Sequence, residues 1–173
     1  MTLCSKVQNN TQIESVARLA KIIWTEHFNE MIGPETVAYM IETFQSKPAI
    51  IKQIKEQGYT YYLIQPDQKA IGYAGICLNK EKDELFVSKL YLLSSQRGKG
   101  YGRQVMQFLE DMARKHQVSK ISLTVYHKNT TAIQAYKKMG FRHTGSIKRD
   151  IGKNIIIHDY TMEKQILSEE SIK

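Results

Sequence analysis

Nine residues near the middle of the chain, Ser94-Ser95-Gln96-Arg97-Gly98-Lys99-Gly100-Tyr101-Gly102, set three glycines at alternate positions between two very different neighbours. Before them, Leu85 to Leu93 is apolar and β-prone. After them, Val105, Leu109 and Met112 recur at helical spacing, with Phe108 beside them, to about His116. A chain that runs strand, glycine turn, helix builds an anion site, because the first turn of a helix has N–H groups without partners and a partial positive charge. The glycines remove side chains that would hold a phosphate away from that backbone. Arg97, Lys99 and Arg103 add charge around it. A Walker loop would need Gly-Lys-Ser/Thr after four spacers, which Gly100-Tyr101-Gly102 does not supply. A dinucleotide fold would need G-x-G-x-x-G and an acid at the end of the next strand, whereas the spacing here is G-x-G-x-G and the next strand ends at Tyr126-His127.

The rest of the chain supplies the frame for this loop. Val16, Leu19, Ala20 and Ile23 predict a first helix to about Phe28, with Thr11 and Glu14 in the spacing of a capping box. Pro34 opens a second helix through about Phe44, and a third short one follows Pro48. Tyr59 to Gln65 and Lys69 to Leu78 read as a hairpin about Pro66-Asp67-Gln68. Lys120 to Tyr126 alternates as a strand, Thr130 to Met139 reads as a helix stopped by Gly140, and Phe141 to Lys148 and Asn154 to Glu163 read as two last strands. Helices first, then a hairpin, then β-loop-α-β-α-β-β predicts an α/β or α+β sheet covered by helices.

Charge is unevenly spread. Residues 97 to 149 hold twelve Lys/Arg against two Asp/Glu, net +10, while the whole chain of 173 residues carries only +8. Such a segment attracts a polyanion: nucleic acid, anionic lipid or a phosphorylated cofactor. A helix-turn-helix or an RNA-binding signature with interleaved aromatics is not seen, which disfavours nucleic acid. No apolar run approaches the ~18 residues of a membrane span. Met1 to Asn10 lack the profile of a secretory leader, and Cys4 and Cys77 are too few for a disulfide framework, so the expected compartment is the cytoplasm. The five histidines show no ligand spacing with cysteines or acids, so no metal site is expected. The absence of linkers or repeats predicts one domain over residues 1–166 with a tail at 167–173.

Two motifs together resemble the GNAT acetyltransferases, which use acetyl-CoA. Arg97-Gly98-Lys99-Gly100-Tyr101-Gly102 fits that family's R/Q-x-x-G-x-G/A pyrophosphate loop, preceded by Leu90-Tyr91-Leu92 on the strand before it. Asn129-Thr130-Thr131-Ala132-Ile133-Gln134-Ala135-Tyr136-Lys137-Lys138-Met139-Gly140-Phe141 is similar to its N-x-x-A-x-x-x-Y-x-x-x-G-F segment. The order of elements resembles the family from about residue 2 to about 164, and Trp24 to Phe44 looks like the matching part of small bacterial members that acetylate polyamines. The resemblance implies a mixed, mostly antiparallel twisted sheet of six to seven strands flanked by helices.

It also implies roles. Leu90, Tyr91 and Leu92 would pair their backbone with the pantetheine arm, the N–H groups from Arg97 to Arg103 would hold the pyrophosphate, and Asn129 would touch the arm beyond it. Tyr136 matches the tyrosine that returns a proton to the departing thiolate. Transfer to an amine needs a base, because an alkylammonium must first lose a proton. Many relatives carry a glutamate two or four residues before Leu90, where this chain has Ser88 and Phe86. Glu84, Glu26, His27 and Glu30 remain as candidates, the last three also as lining for a cationic acceptor. The implied reaction is direct attack of a small primary amine on acetyl-CoA in a ternary complex. The alternatives are a basic nucleic-acid module and an acetyl-CoA-binding protein that has lost catalysis. The final hairpin, Phe141 to Glu163, offers strands for pairing with a second subunit.

Overall fold

A computed structural model describes residues 2–167. The expected tail falls, beyond Leu167, outside the described residues. The strands are β1 (Cys4–Lys6), β2 (Tyr59–Ile64), β3 (Gly72–Asn79), β4 (Glu84–Leu92), β5 (Lys120–Tyr126), β6 (Arg142–Asp150) and β7 (Ile156–Gln165); the helices are α1 (Asn10–Ile32), α2 (Pro34–Phe44), α3 (Lys47–Glu56), α4 (Tyr101–Lys115) and α5 (Thr130–Lys138). Strand order is β1-β2-β3-β4-β5-β7-β6, mixed and mostly antiparallel, with β4 and β5 parallel. The described residues fall into two compact units, residues 2–77 with Lys89–Phe108, and Leu78–Ser88 with residues 109–167.

In the first unit α1 buries Val16, Leu19, Ala20, Ile23, Trp24 and Phe28, the stripe that the helical spacing marks. Its cap differs from the sequence expectation. Asn9 Oδ1 accepts from the Gln12 N–H at 2.9 Å and Gln12 Oε1 accepts from the Asn9 N–H, the same reciprocal box two residues earlier. Glu14 instead meets Lys47 of α3 at 2.7 Å. The helix also runs past Phe28 to Ile32 and stops where Gly33 takes φ 103°. The short β1, for which the sequence holds no local signal, is made by pairing Cys4 with Ile64 and Lys6 with Tyr62.

The core of this unit includes two neutral polar pairs. Tyr61 of β2 donates to Gln53 Oε1 of α3, and Tyr73 of β3 donates to Gln45 Oε1, just past α2, at 2.9 Å. Gly75 stands opposite Tyr61 in the β2–β3 register.

In the second unit Glu84–Val87 run parallel to Lys120–Leu123, and β5 pairs in turn with β7. β6 pairs with β7 through a bulge at His143/Gly145, and its side chains are almost all exposed. The last strands begin later than the sequence suggests. Gly152, Lys153 and Asn154 all take positive φ, so Asn154 belongs to the turn and not to the strand. Buried Asp159 is neutralised by Arg149 at 2.7 Å, and buried Glu110 by Lys164.

Candidate functional site

The end of β4 is the best-defined element of the candidate site. Tyr91 packs its ring against Trp24 (5.5 Å between centroids) and Phe28 (6.2 Å) of α1 and Tyr73 (5.7 Å) of β3. On the backbone side β3 comes unusually close: a Cβ added at Gly72 would lie 2.3 Å from the Tyr91 carbonyl oxygen. The Leu93 N–H donates to Ile71 O at 2.9 Å. Leu90–Leu92 are therefore gripped by side chains on one hand and by a bare glycine on the other.

A 3-10 turn at Ser94–Gln96 follows, then the glycines. Gly98 and Gly100 take φ 76° and 87°, the left-handed region that a side chain disfavours, and a Cβ at either would meet nothing within 4 Å. The first helical N–H to bond backwards is that of Gln104, onto Gly100 O at 3.2 Å. The N–H groups of Tyr101, Gly102 and Arg103 thus belong to the unpartnered first turn of α4. Space around the loop and donors at its end fit a pyrophosphate.

The structure brings two α1 candidates to this loop. Ser94 Oγ donates to Glu26 at 3.1 Å, and Arg97 Nη1 lies 3.2 Å from His27 Nδ1 while its Nη2 reaches Leu92 O at 3.4 Å. Arg97 is thus folded back between α1 and the end of β4. Lys99 leans on Gln96 at 3.4 Å. Glu30 lies one turn beyond Glu26, exposed, with no side-chain bond among the described residues.

The other candidates lie in the second unit. Glu84 opens β4, at the end of the strand away from the glycines, and accepts from Ser122 Oγ at 2.8 Å. Asn129 is buried as the N-cap of α5, taking the Ala132 N–H at 3.4 Å. Tyr136 is partly exposed, its ring 5.6 Å from that of Phe141, and its hydroxyl makes no hydrogen bond among the described residues. Burial pushes that phenol up to about 12, so it holds its proton at neutral pH. Burial likewise pushes the Cys4 and Cys77 thiols up to about 11, which leaves neither as a thiolate nucleophile. No group of His, Cys, Asp and Glu among the described residues is arranged to hold a metal ion, and no described helix is long and apolar enough to cross a membrane.

Two residues carry more weight than the motifs suggest. Gly72 is one, marked in the sequence only as a glycine inside a strand, which often means close backbone approach. Lys89 is the other. The period-2 alternation of β4 puts Leu85, Val87 and Lys89 on its buried face, and Lys89 is indeed only 6% exposed.

Comparison with known proteins shows the family. The model of the acetyltransferase (GNAT) family matches residues 17–141, and the chain belongs to that family. Streptothricin acetyltransferase of Streptomyces lavendulae is 30% identical over 86 residues, 50% of this chain and 46% of that protein. The uncharacterized N-acetyltransferase YycN of Bacillus subtilis is 36% identical over 63 residues, 36% of this chain and 40% of its own length. The chain thus spans less than half the length of these two curated relatives. The crystal structure of the PaiA N-acetyltransferase from Thermoplasma acidophilum in complex with coenzyme A shares the fold, with a TM-score of 0.75 at 18% identity over 95% of this chain and 99% of that one.

Proposed function

We propose that this chain is an acetyl-CoA-dependent N-acetyltransferase, folded as one catalytic domain, that acetylates a small-molecule primary amine by direct attack in a ternary complex. The observation that carries the reading is the strand end and glycine turn: Leu90–Leu92 pinned against Gly72, then Gly98 and Gly100 at positive φ in open space before the free N–H groups of α4. Bound acetyl-CoA supplies a thioester open to a neutral amine. The backbone of Leu90–Leu92 would hold the pantetheine arm as an added strand, and the N–H groups of Arg97 to Arg103 would hold the pyrophosphate, aided by the charges of Lys99 and Arg103. Asn129 joins the arm's contacts through the turn it caps.

Tyr136 is the proton donor to the departing sulfur. Its hydroxyl has no hydrogen bond among the described residues, which leaves its proton open to the departing sulfur. Glu26, His27 and Glu30 form the acceptor's side, where two carboxylates favour a cation such as a polyamine, and the base that frees the amine is drawn from these three. Glu84, bonded to Ser122, keeps a structural duty in this reading.

The test is calorimetric titration with acetyl-CoA, then thiol release from acetyl-CoA with a panel of amines that includes spermidine. Micromolar binding and amine-dependent release are expected. Failure to bind acetyl-CoA would overturn the reading, and binding without release by any amine would favour a silent cofactor-binding protein.

A further inference from the structure

Lys89 lies one residue before the strand segment assigned to the acyl donor, and its surroundings are unusual for a lysine. Its Nζ donates to Phe44 O, the last carbonyl of α2, at 2.9 Å, to Gln53 Oε1 of α3 at 2.8 Å, and to the Tyr61 hydroxyl of β2. Among the described residues no carboxylate meets it. The faces of the Tyr59 and Tyr61 rings lie 5.6 and 5.1 Å away. The counter-charge is thus made of dipoles: a carbonyl left over at the negative end of a helix, an amide oxygen, a phenol oxygen and two ring faces. β3 makes room for this by carrying Gly75, where a Cβ would stand 3.2 Å from the Tyr61 ring and 3.6 Å from Lys89 Cβ.

An ammonium has three N–H donors, and each of its three acceptors here takes one through a charge-assisted bond; a neutral amine keeps two weaker N–H bonds, and its lone pair must draw the Tyr61 proton away from Gln53 Oε1 or leave that contact unbonded. The protonation state of Lys89 therefore sets how firmly the ends of α2 and α3 are tied to β4. Two residues along the same face, Tyr91 is bedded among Trp24, Phe28 and Tyr73, so the tie is continuous with the packing that fixes Leu90–Leu92.

We propose that Lys89 is a positioning residue for the acyl donor: its ammonium pins β4 to α2 and α3 and so sets the strand segment that receives the donor's arm, and donor binding draws a proton onto it. This rests on the acetyltransferase reading above. The groups that titrate around Nζ are Tyr59 and Tyr61 of β2 and Cys77 of β3, with Tyr91 of its own strand beyond Tyr61. Burial pushes Cys77 up to about 11 and Tyr61 well above its ordinary range, so these two stay neutral below pH 8.5. Burial pushes the Lys89 amine down to about 7, against a smaller opposing pull from Cys77, which brings its change of state into the working range.

The experiment measures acetyl-CoA affinity by calorimetry between pH 7.0 and 8.5, above the titration of the donor's own phosphate near 6, in buffers of different ionisation enthalpy. For the wild type, a fractional proton uptake on binding and a loss of affinity of about threefold or more across the range are expected. Lys89→Met should bind more weakly at pH 7.0, with no proton uptake and a flat profile. Tyr61→Phe, which keeps the packing and removes one acceptor, should move the wild-type profile to lower pH by about half a unit or more. A folded Lys89→Met with the wild-type proton uptake and pH profile would overturn the proposal, as would a Tyr61→Phe profile that does not move. Wild-type protein that fails to bind acetyl-CoA at pH 7.0 would instead overturn the acetyltransferase reading, and this inference with it.

Discussion

Gly72→Ala tests whether the end of β4 is held where the geometry says it is. The new Cβ would stand 2.3 Å from Tyr91 O, 2.9 Å from Leu92 Cδ2 and 3.1 Å from Leu92 Cα. Ordinary non-bonded carbon contacts lie near 3.5 Å, so the gap to Tyr91 O is short by roughly 1 Å. Leu92 Cδ2 can turn away, but the Tyr91 carbonyl belongs to the strand, and its ring is held by Trp24, Phe28 and Tyr73. The strand must shift as a whole. Overpacking of this kind costs about 1–3 kcal/mol, and a backbone clash puts this site at the upper end. For a chain of this size that lowers Tm by about 6–12 °C. Because Leu90–Leu92 move with the strand, acetyl-CoA should bind about tenfold more weakly or worse, a misplacement near 1 Å being enough for such losses. Thermal unfolding followed by circular dichroism gives the first number and calorimetric titration the second. A variant with a wild-type Tm and an unchanged Kd would refute both the close approach and the role of the segment.

Three further outcomes are expected. Gly100→Val puts a branched side chain at φ 87°, which should cost about 1–2 kcal/mol in the unbound protein and weaken acetyl-CoA by far more than that strain, read as Kd at constant Tm correction; unchanged affinity would remove the loop from the site. Tyr136→Phe should lower kcat by about tenfold or more with donor affinity intact, since only proton transfer is lost; an unchanged kcat would dismiss it as the acid. Lys89, held below its ordinary range, binds fewer protons folded than unfolded between pH 7 and its unfolded value, so wild-type stability should rise by about 1 kcal/mol from pH 7 to 8. Denaturant unfolding should show that slope in the wild type, and Lys89→Met should lack it.

The parts of the fold legible in the sequence are those whose cause is local. Pro34 fixes the start of α2 at Pro34, and the alternation of Lys120 to Tyr126 fixes β5 at both ends. The glycine turn is legible because positive φ and open space demand glycine. β1 is not, since its three residues are a strand only by virtue of Ile64 and Tyr62 beside them. The α1 box lies at Asn9/Gln12 and not at Thr11/Glu14, a pair of the same spacing, while Glu14 finds its partner 33 residues away in Lys47. Tyr136 and the loop carry motifs, but the acceptor side rests on surface carboxylates, which look alike whether they bind a ligand or water. Lys89 was legible in principle: a charge in the inward phase of an apolar strand needs a reason.

The two tyrosine–glutamine pairs bear on how the chain finds a single arrangement. A slip of β2 by one residue would carry Tyr61 to the opposite face and leave a buried glutamine amide and a lysine without their oxygen partner. A slip of β3 would do the same to Tyr73 and Gln45. Such a slip already turns the strand's apolar side chains away from the core, and each stranded buried polar group adds about 1–3 kcal/mol to its cost. These neutral bonds thus act as alignment keys: they add little to the depth of the native state and much to the height of its nearest competitors.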